Sequence, residues 1–527
     1  MRRLLLTGVA ACWTGGICTV ADAQVPVPPS PTEGQIITSL PAASPAISND
    51  NNNAQAAMKP GPFANPTPGT IVIHINGRVS AGFASIWSNA DKRTATAPAG
   101  TVGGAPIAPG AATPAAAVLG NNGAGAVKLA PDTFDSYARI YLGADAMAAN
   151  GLRYGAAIEI RQDFTGQISN NSSSGASGYS SLQTLFVRRA FTYVAGDQWG
   201  IVRLGQADGL ISLFDNGVTT FQYLPTNNLQ NGDDFAQLAP TNSAVPFFFL
   251  SGAGNEYTNV KAVYLSPQFA GFDFGIQYAP NTSNGNGIGG SNNALNGSII
   301  SAGTGTGLSC TVANSGCPTL SAGPGVLDGS RITNQTAVGV RYQGAFDGVG
   351  VLAYGMYEFS GHANYTGLTT AAALGNTVAG TTFNGQYDGL SFGNGGVALT
   401  YGGFTIGGNV IGGRLNGNLA LAPQHGAGEY AYLLGAKYVF GPYTVGVAAE
   451  RGDYQGSVNL TGISQRRGQA IDFGASYAVA PGYLVYAEYQ YENTYQSDFN
   501  FITNSAGSGA NNRIKAQGFL LGNVVNF

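Results

Sequence analysis

The stretch from Ile471 to Glu492 reads IDFGASYAVAPGYLVYAEYQYE. Ile471, Phe473, Ala475, Tyr477 and Val479 alternate with Asp472, Gly474, Ser476 and Ala478. After Ala480-Pro481-Gly482, Tyr483, Val485, Ala487, Tyr489 and Tyr491 alternate with Leu484, Tyr486, Glu488, Gln490 and Glu492. Successive side chains of a strand point to opposite faces, so each half predicts a strand with one apolar face and one small or polar face. Tyrosines at the ends of the apolar face are the aromatic-girdle pattern of a strand with lipid outside and water inside. A soluble sandwich would alternate similarly but would not repeat that placement of tyrosine.

The same texture extends in both directions. Phe272, Phe274, Ile276 and Tyr278 alternate with Asp273, Gly275 and Gln277, and Tyr443, Val445, Val447 and Ala449 with Thr444, Gly446, Ala448 and Glu450. Alternation predicts about sixteen strands: 71–87, 132–147, 152–168, 181–195, 199–206, 257–266, 272–280, 332–343, 349–359, 395–401, 404–412, 431–440, 443–453, 469–479, 483–493 and 512–527. The faintest patterns are 257–266, 395–401 and 404–412, which leaves fourteen or eighteen strands as alternatives. Connections alternate between short ones, such as Gly402-Gly403, and long ones, such as 207–256 and 281–331. Short turns on one side and long loops on the other are the asymmetry of an outer-membrane barrel.

Composition agrees. Only 9% of the 527 residues are charged, with 79 glycines, 26 Tyr and 26 Phe, and a mean hydropathy of +0.04. Soluble domains carry about 25% charged residues. Beyond the N-terminal leader no run of eighteen apolar residues occurs, so helices are not the spanning plan, and a closed barrel is the other structure that pairs every backbone group in lipid. A net charge of −4 with no basic stripe argues against a nucleic-acid partner.

The ends suit export. Residues 1–23 read as a signal peptide: Arg2 and Arg3, an apolar stretch from Leu4 to about Val20, then Ala21-Asp22-Ala23. Residues 24–69, rich in Pro and Asn and without a period, read as a disordered periplasmic extension, and 70–527 as the barrel. The chain ends on Phe527, with Val525, Asn523, Leu521 and Phe519 in step behind it, as a last strand that pairs with the first requires. Of four cysteines, Cys12 and Cys18 leave with the leader. Cys310 and Cys317 point to a disulfide in a surface loop, since no His or further Cys lies near enough to suggest a metal site. Neither a metal-ligand spacing nor a Ser-His-acid set is visible, so no cofactor is implied.

Strand parity assigns the charges. Arg on a lipid face at mid-bilayer costs about 2–4 kcal/mol, so basic residues opposite apolar ones face the lumen. This selects Arg78, Arg139, Arg153, Arg161, Arg188 and Arg203, with His74 and Glu159 on the same inner wall. In strand 181–195, Arg188 opposes Val187, Phe191 and Tyr193, which puts those three outside; Arg189 then needs an interface, a bulge or a neighbouring subunit. The connection 207–256 holds Asp208, Asp215, Asp233 and Asp234 among six phenylalanines, and so much apolar surface favours burial inside the barrel or in a subunit contact.

Three stretches, IVIHINGRVSAGF (71–83), YARIYLGADAMAANGLRYGAAIEIRQDF (137–164) and RRAFTYVAGDQWGIVRLGQADGLISLFD (188–215), resemble the general porins of alphaproteobacteria. Gln206 departs from the Arg that often follows R-L-G there, and the Pro-Glu-Phe-Gly stretch of enteric porins is absent. The resemblance implies an all-β, sixteen-stranded transmembrane antiparallel barrel. It also implies a homotrimer, with the third long loop folded inward as a constriction. The expected function is a water-filled channel for passive diffusion of small hydrophilic solutes and ions, in an outer membrane of lipid and lipopolysaccharide. The arginine wall would face the carboxylates of 207–256 across the narrowest section. The alternatives are a sugar- or anion-selective channel and, from other classes, a barrel adhesin or enzyme.

Overall fold

The computed structural model describes residues 66–91, 101–102, 105–106, 131–163, 185–218, 260–281, 332–362, 388–416, 421–422, 426–455, 465–501, 505–506 and 511–527. The leader, the extension up to residue 65, the Cys310/Cys317 pair and Asp233 and Asp234 lie outside the described residues, as do the side chains of Arg161 and Arg188.

Sixteen antiparallel strands close into one barrel. They are β1 (Ile71–Ser88), β2 (Asp132–Met147), β3 (Arg153–Asp163), β4 (Phe186–Gly196), β5 (Gly200–Gln206), β6 (Val260–Leu265), β7 (Phe272–Asn281) and β8 (Ile332–Phe346). The second half is β9 (Val349–His362), β10 (Ser391–Tyr401), β11 (Phe404–Arg414), β12 (Glu429–Phe440), β13 (Tyr443–Gln455), β14 (Gln465–Ala480), β15 (Tyr483–Tyr495) and β16 (Arg513–Asn526). Each strand pairs with its sequence neighbours, and β16 returns to β1 with Arg78 opposite Asn526 and Ser88 opposite Ala516. Phe527 seals this seam by exchanging both backbone hydrogen bonds with Gly77, at 2.9 and 3.0 Å.

The tight turns follow from residues that tolerate a left-handed backbone. Asp347-Gly348 (φ 47° and 83°) joins β8 to β9, and Gly402-Gly403 (φ 56° and 99°) joins β10 to β11. Two-residue hairpins whose twist matches the strands need positive φ at both positions. Pairing absorbs the faint segments too: β10 begins at Ser391 and β11 runs to Arg414, both through glycine-rich sequence whose period-two signal is weak.

The outward faces are apolar and exposed, as at Phe272, Phe274, Ile276 and Tyr278 of β7. At the short-turn end, Phe404, Tyr438, Phe440, Tyr443 and Tyr477 make a continuous stack across β11–β14 with centroid spacings of 4.1, 5.3, 5.4 and 4.9 Å. Such a belt suits the bilayer interface, where an aromatic ring meets both hydrocarbon and headgroup.

Strand β4 departs from simple parity. Glu159 pairs with Arg189 but Ile160 pairs with Val187, so Arg188 is the extra residue of a β-bulge. Beyond the bulge the phase reverses. Arg189, Phe191 and Tyr193 turn inward and are buried, while Val187, Ala190 and Val194 face out. The expectation that Phe191 and Tyr193 face lipid is therefore corrected; the bulge anticipated for Arg189 is present, and Arg189 itself points inward.

Candidate functional site

The inner wall of β1–β5 is basic because register, as well as parity, brings its arginines together. Arg78 lies opposite Arg139 and Arg139 opposite Arg161, one row across β1, β2 and β3. The Arg78 and Arg139 side chains point inward and are buried. Like charges directly opposite each other destabilise a strand pair. Arg203 of β5 also turns inward, its guanidinium carbon 5.6 Å from the centroid of the Phe191 ring. Arg153 sits near the short turn, 4.0 Å from Asp197.

Below the row, His74 Nε2 lies 3.0 Å from Asp145 Oδ2, and the Tyr193 hydroxyl donates to Asp145 Oδ1. All three residues are buried. His74 was expected on the inner wall. Tyr193 joins it through the β4 phase reversal, which no alternation signal announces.

Arg189 is an anchor. Its Nη1 lies 3.0 Å from Glu159 on β3, and its Nη2 lies 2.8 Å from Asp208, just past the end of β5. Asp208 thus reaches an arginine by direct pairing at the wall. From there residues 207–218 are buried throughout. A single helical turn, α1 (Leu210–Leu213), begins where the Leu210 N–H donates to Gln277 Oε1 on β7 at 2.6 Å. Arg341 of β8, held by Asp273 at 3.1 and 2.5 Å, donates to the Leu213 carbonyl at 2.9 Å and covers the Phe214 ring at 5.0 Å. Asn216 then donates to Asn409 on β11 at 2.6 Å. The segment is folded inward and runs along the wall from β7 to β11.

The wall is cut to receive it. A Cβ added at inward Gly275 would stand 2.5 Å from Leu210 Cδ2, one at Gly339 2.8 Å from Phe214 Cε2, and one at Gly407 2.7 Å from Val218 Cγ2. Absent side chains let the segment lie flat against the wall. The substitution Gly339→Val is expected to push Phe214 off the wall and roughly halve conductance through the barrel. An unchanged single-channel conductance would show that the segment does not narrow the lumen there.

Among the described residues no group of three His, Cys, Asp or Glu side chains could hold a metal ion. The architecture is a closed transmembrane barrel with a charged, asymmetric interior and an inward-folded segment. Sequence comparison gives it a family: the Gram-negative porin family model matches residues 73–497, from the first strand to beyond the fifteenth.

The chain belongs to the Gram-negative porin family.

As a porin it is an outer-membrane channel protein. Comparison with curated protein sequences finds no match. Among solved structures the porin is similar to the anion-selective porin from Comamonas acidovorans at 13% identity, covering 87% of this chain and 100% of that one with a TM-score of 0.45. It is also similar to OmpT, an outer membrane protein of Vibrio cholerae, at 12% identity, with coverage of 88% and 100% and a TM-score of 0.43. A mutant of Rh. blastica porin matches at 13% identity, with coverage of 86% and 100% and a TM-score of 0.40.

Proposed function

We propose that this porin passes small hydrophilic solutes and ions by passive diffusion as a homotrimer, without catalysing a reaction. In this proposal its narrow section lies between the Arg78–Arg139–Arg161 row and the segment 207–218. The observation that carries this is the row itself, Arg78 and Arg139 buried on one inner wall and Arg161 next to Arg139 in backbone register. Such a row opposes strand pairing and is accounted for if its field acts on what passes. Arg153, Arg188 and Arg203 extend the basic side. Asp208 and Asp215 supply carboxylates from the inward segment, with Asp233 and Asp234 further along the same connection. Polar solutes orient in the resulting field, while apolar ones lose hydration without compensation. The remaining assignments belong to the same proposal: cleavage after residue 23, a periplasmic extension over 24–69, a Cys310–Cys317 disulfide, and long loops facing lipopolysaccharide.

Planar-bilayer recording tests it. The purified protein is expected to insert with three equal conductance steps and a current that rises with salt without saturating. Absence of any conductance would sink the proposal, and saturable block by one sugar would move it to a substrate-selective channel.

A further inference from the structure

We propose that the main acidic side of the passage is the barrel wall itself, the inward face of β12–β15, where Asp472 and Glu488 set a preference for small cations along that side. The inference rests on the pore reading above and adds residues to it.

The inward segment lies on β7–β11, through Gln277, Arg341 and Asn409. The rest of the wall runs from β12 through β16 to β1 and on to β5, where Asp208 meets Arg189. Along that arc charge is segregated. Glu429 of β12, Glu450 of β13, Asp472 of β14 and Glu488 and Glu492 of β15 all turn inward. Next comes β16, whose inward residues Gly518, Leu520, Gly522 and Val524 carry no charge, and then the arginines of β1–β5. Among the described residues, the basic side chains that turn inward on this arc are Lys437, in one row with Gly446, Gly474 and Glu488, and Arg466 at the long-loop rim. Arg466 is engaged by Gln496 at 2.9 Å and by the rings of Phe499 and Phe501 at 4.8 and 5.1 Å.

Register concentrates the carboxylates. Asp472 lies opposite Gln490, and Glu488 opposite Gly474, so Glu488 is the diagonal neighbour of both Asp472 and Ser476 with a bare backbone between them. One level toward the long loops, Glu450, Ala470 and Glu492 share a row, and Gln490 donates to Glu492 at 2.7 Å. One level toward the short turns, Thr444 pairs with Ser476. Both hydroxyls are buried on the inward face and lack a hydrogen-bond partner among the described residues. Carboxylates above hydroxyls group oxygen atoms beside the Lys437 ammonium, the ligand type that replaces the hydration of hard cations. The transverse field then runs from wall to wall past a neutral β16, and the segment's carboxylates contribute less, Asp208 being drawn against Arg189.

The test is the reversal potential of the full-length protein in planar bilayers under a KCl gradient. Relative to wild type, Asp472→Asn with Glu488→Gln is expected to lower the K⁺/Cl⁻ permeability ratio about threefold. Glu450→Gln with Glu492→Gln should shift it the same way, which keeps the test decisive if the first pair fails to fold. Asp215→Asn on the inward segment should change it less. Unchanged selectivity in conducting channels of either wall pair would overturn the assignment, as would a larger shift from Asp215→Asn. A wild-type protein that carries no current would instead refute the pore reading on which it rests.

Discussion

Replacing Arg189 by alanine should lower the stability of the folded barrel by about 3–5 kcal/mol, the cost of removing one partner from a buried ion pair. Arg189 is 1% exposed and lies between Glu159 and Asp208 at 3.0 and 2.8 Å. Its removal strips two buried carboxylates of the cation they share and detaches the start of the inward segment. The urea midpoint of the folded form in detergent micelles should fall accordingly. The same substitution made on top of Glu159→Gln and Asp208→Asn should cost far less, because close partners are not additive. Arg189→Lys should rescue only in part, since an ammonium does not reproduce a two-pronged guanidinium contact. A loss well under 1 kcal/mol in the single variant would show that Arg189 is a pore charge and not a clamp.

Arg139→Gln with Arg161→Gln should do the reverse: alter transport and spare stability. Arg139 stands opposite both Arg78 and Arg161, so neutralising two of the three relieves repulsion across β1–β3. The urea midpoint should hold or rise. Permeability should move severalfold toward cations, read as a shift of reversal potential under a salt gradient. An unchanged reversal potential would remove the row from the eyelet. The two arginine experiments separate anchoring from selectivity, which proximity alone does not.

Sixteen strands were legible because the period-two pattern is imposed twice, by lipid on one face and water on the other. It faded over 257–266, 395–401 and 404–412; in the last two glycine thins both faces, and there pairing with neighbours supplied what the side chains did not. Arg78, Arg139 and Arg203 were legible for the same reason. The β4 phase was not, because a bulge changes parity by one residue and the tandem Arg188-Arg189 fits either phase. The route of the inward segment was not legible either. Its signal is subtractive, a glycine at inward positions 275, 339, 396 and 407, and glycine is common throughout the chain. The acids of β13–β15 stood in the alternation as polar-face residues, but their grouping depends on which part of the wall the segment covers.

The seam between β1 and β16 bears on how such a molecule can be made. Contacts across it join positions 443 apart in the chain, as where the Ser80 hydroxyl donates to the Asn523 carbonyl. Until β16 is in place, β1 and β15 each present a row of unpaired amides, which lipid penalises by several kcal/mol per group. No stretch of the polypeptide can therefore settle into the membrane ahead of the rest. Closure of the barrel waits on the pairing of β16 with β1. A protein without β16 would leave the edges of β1 and β15 open to lipid.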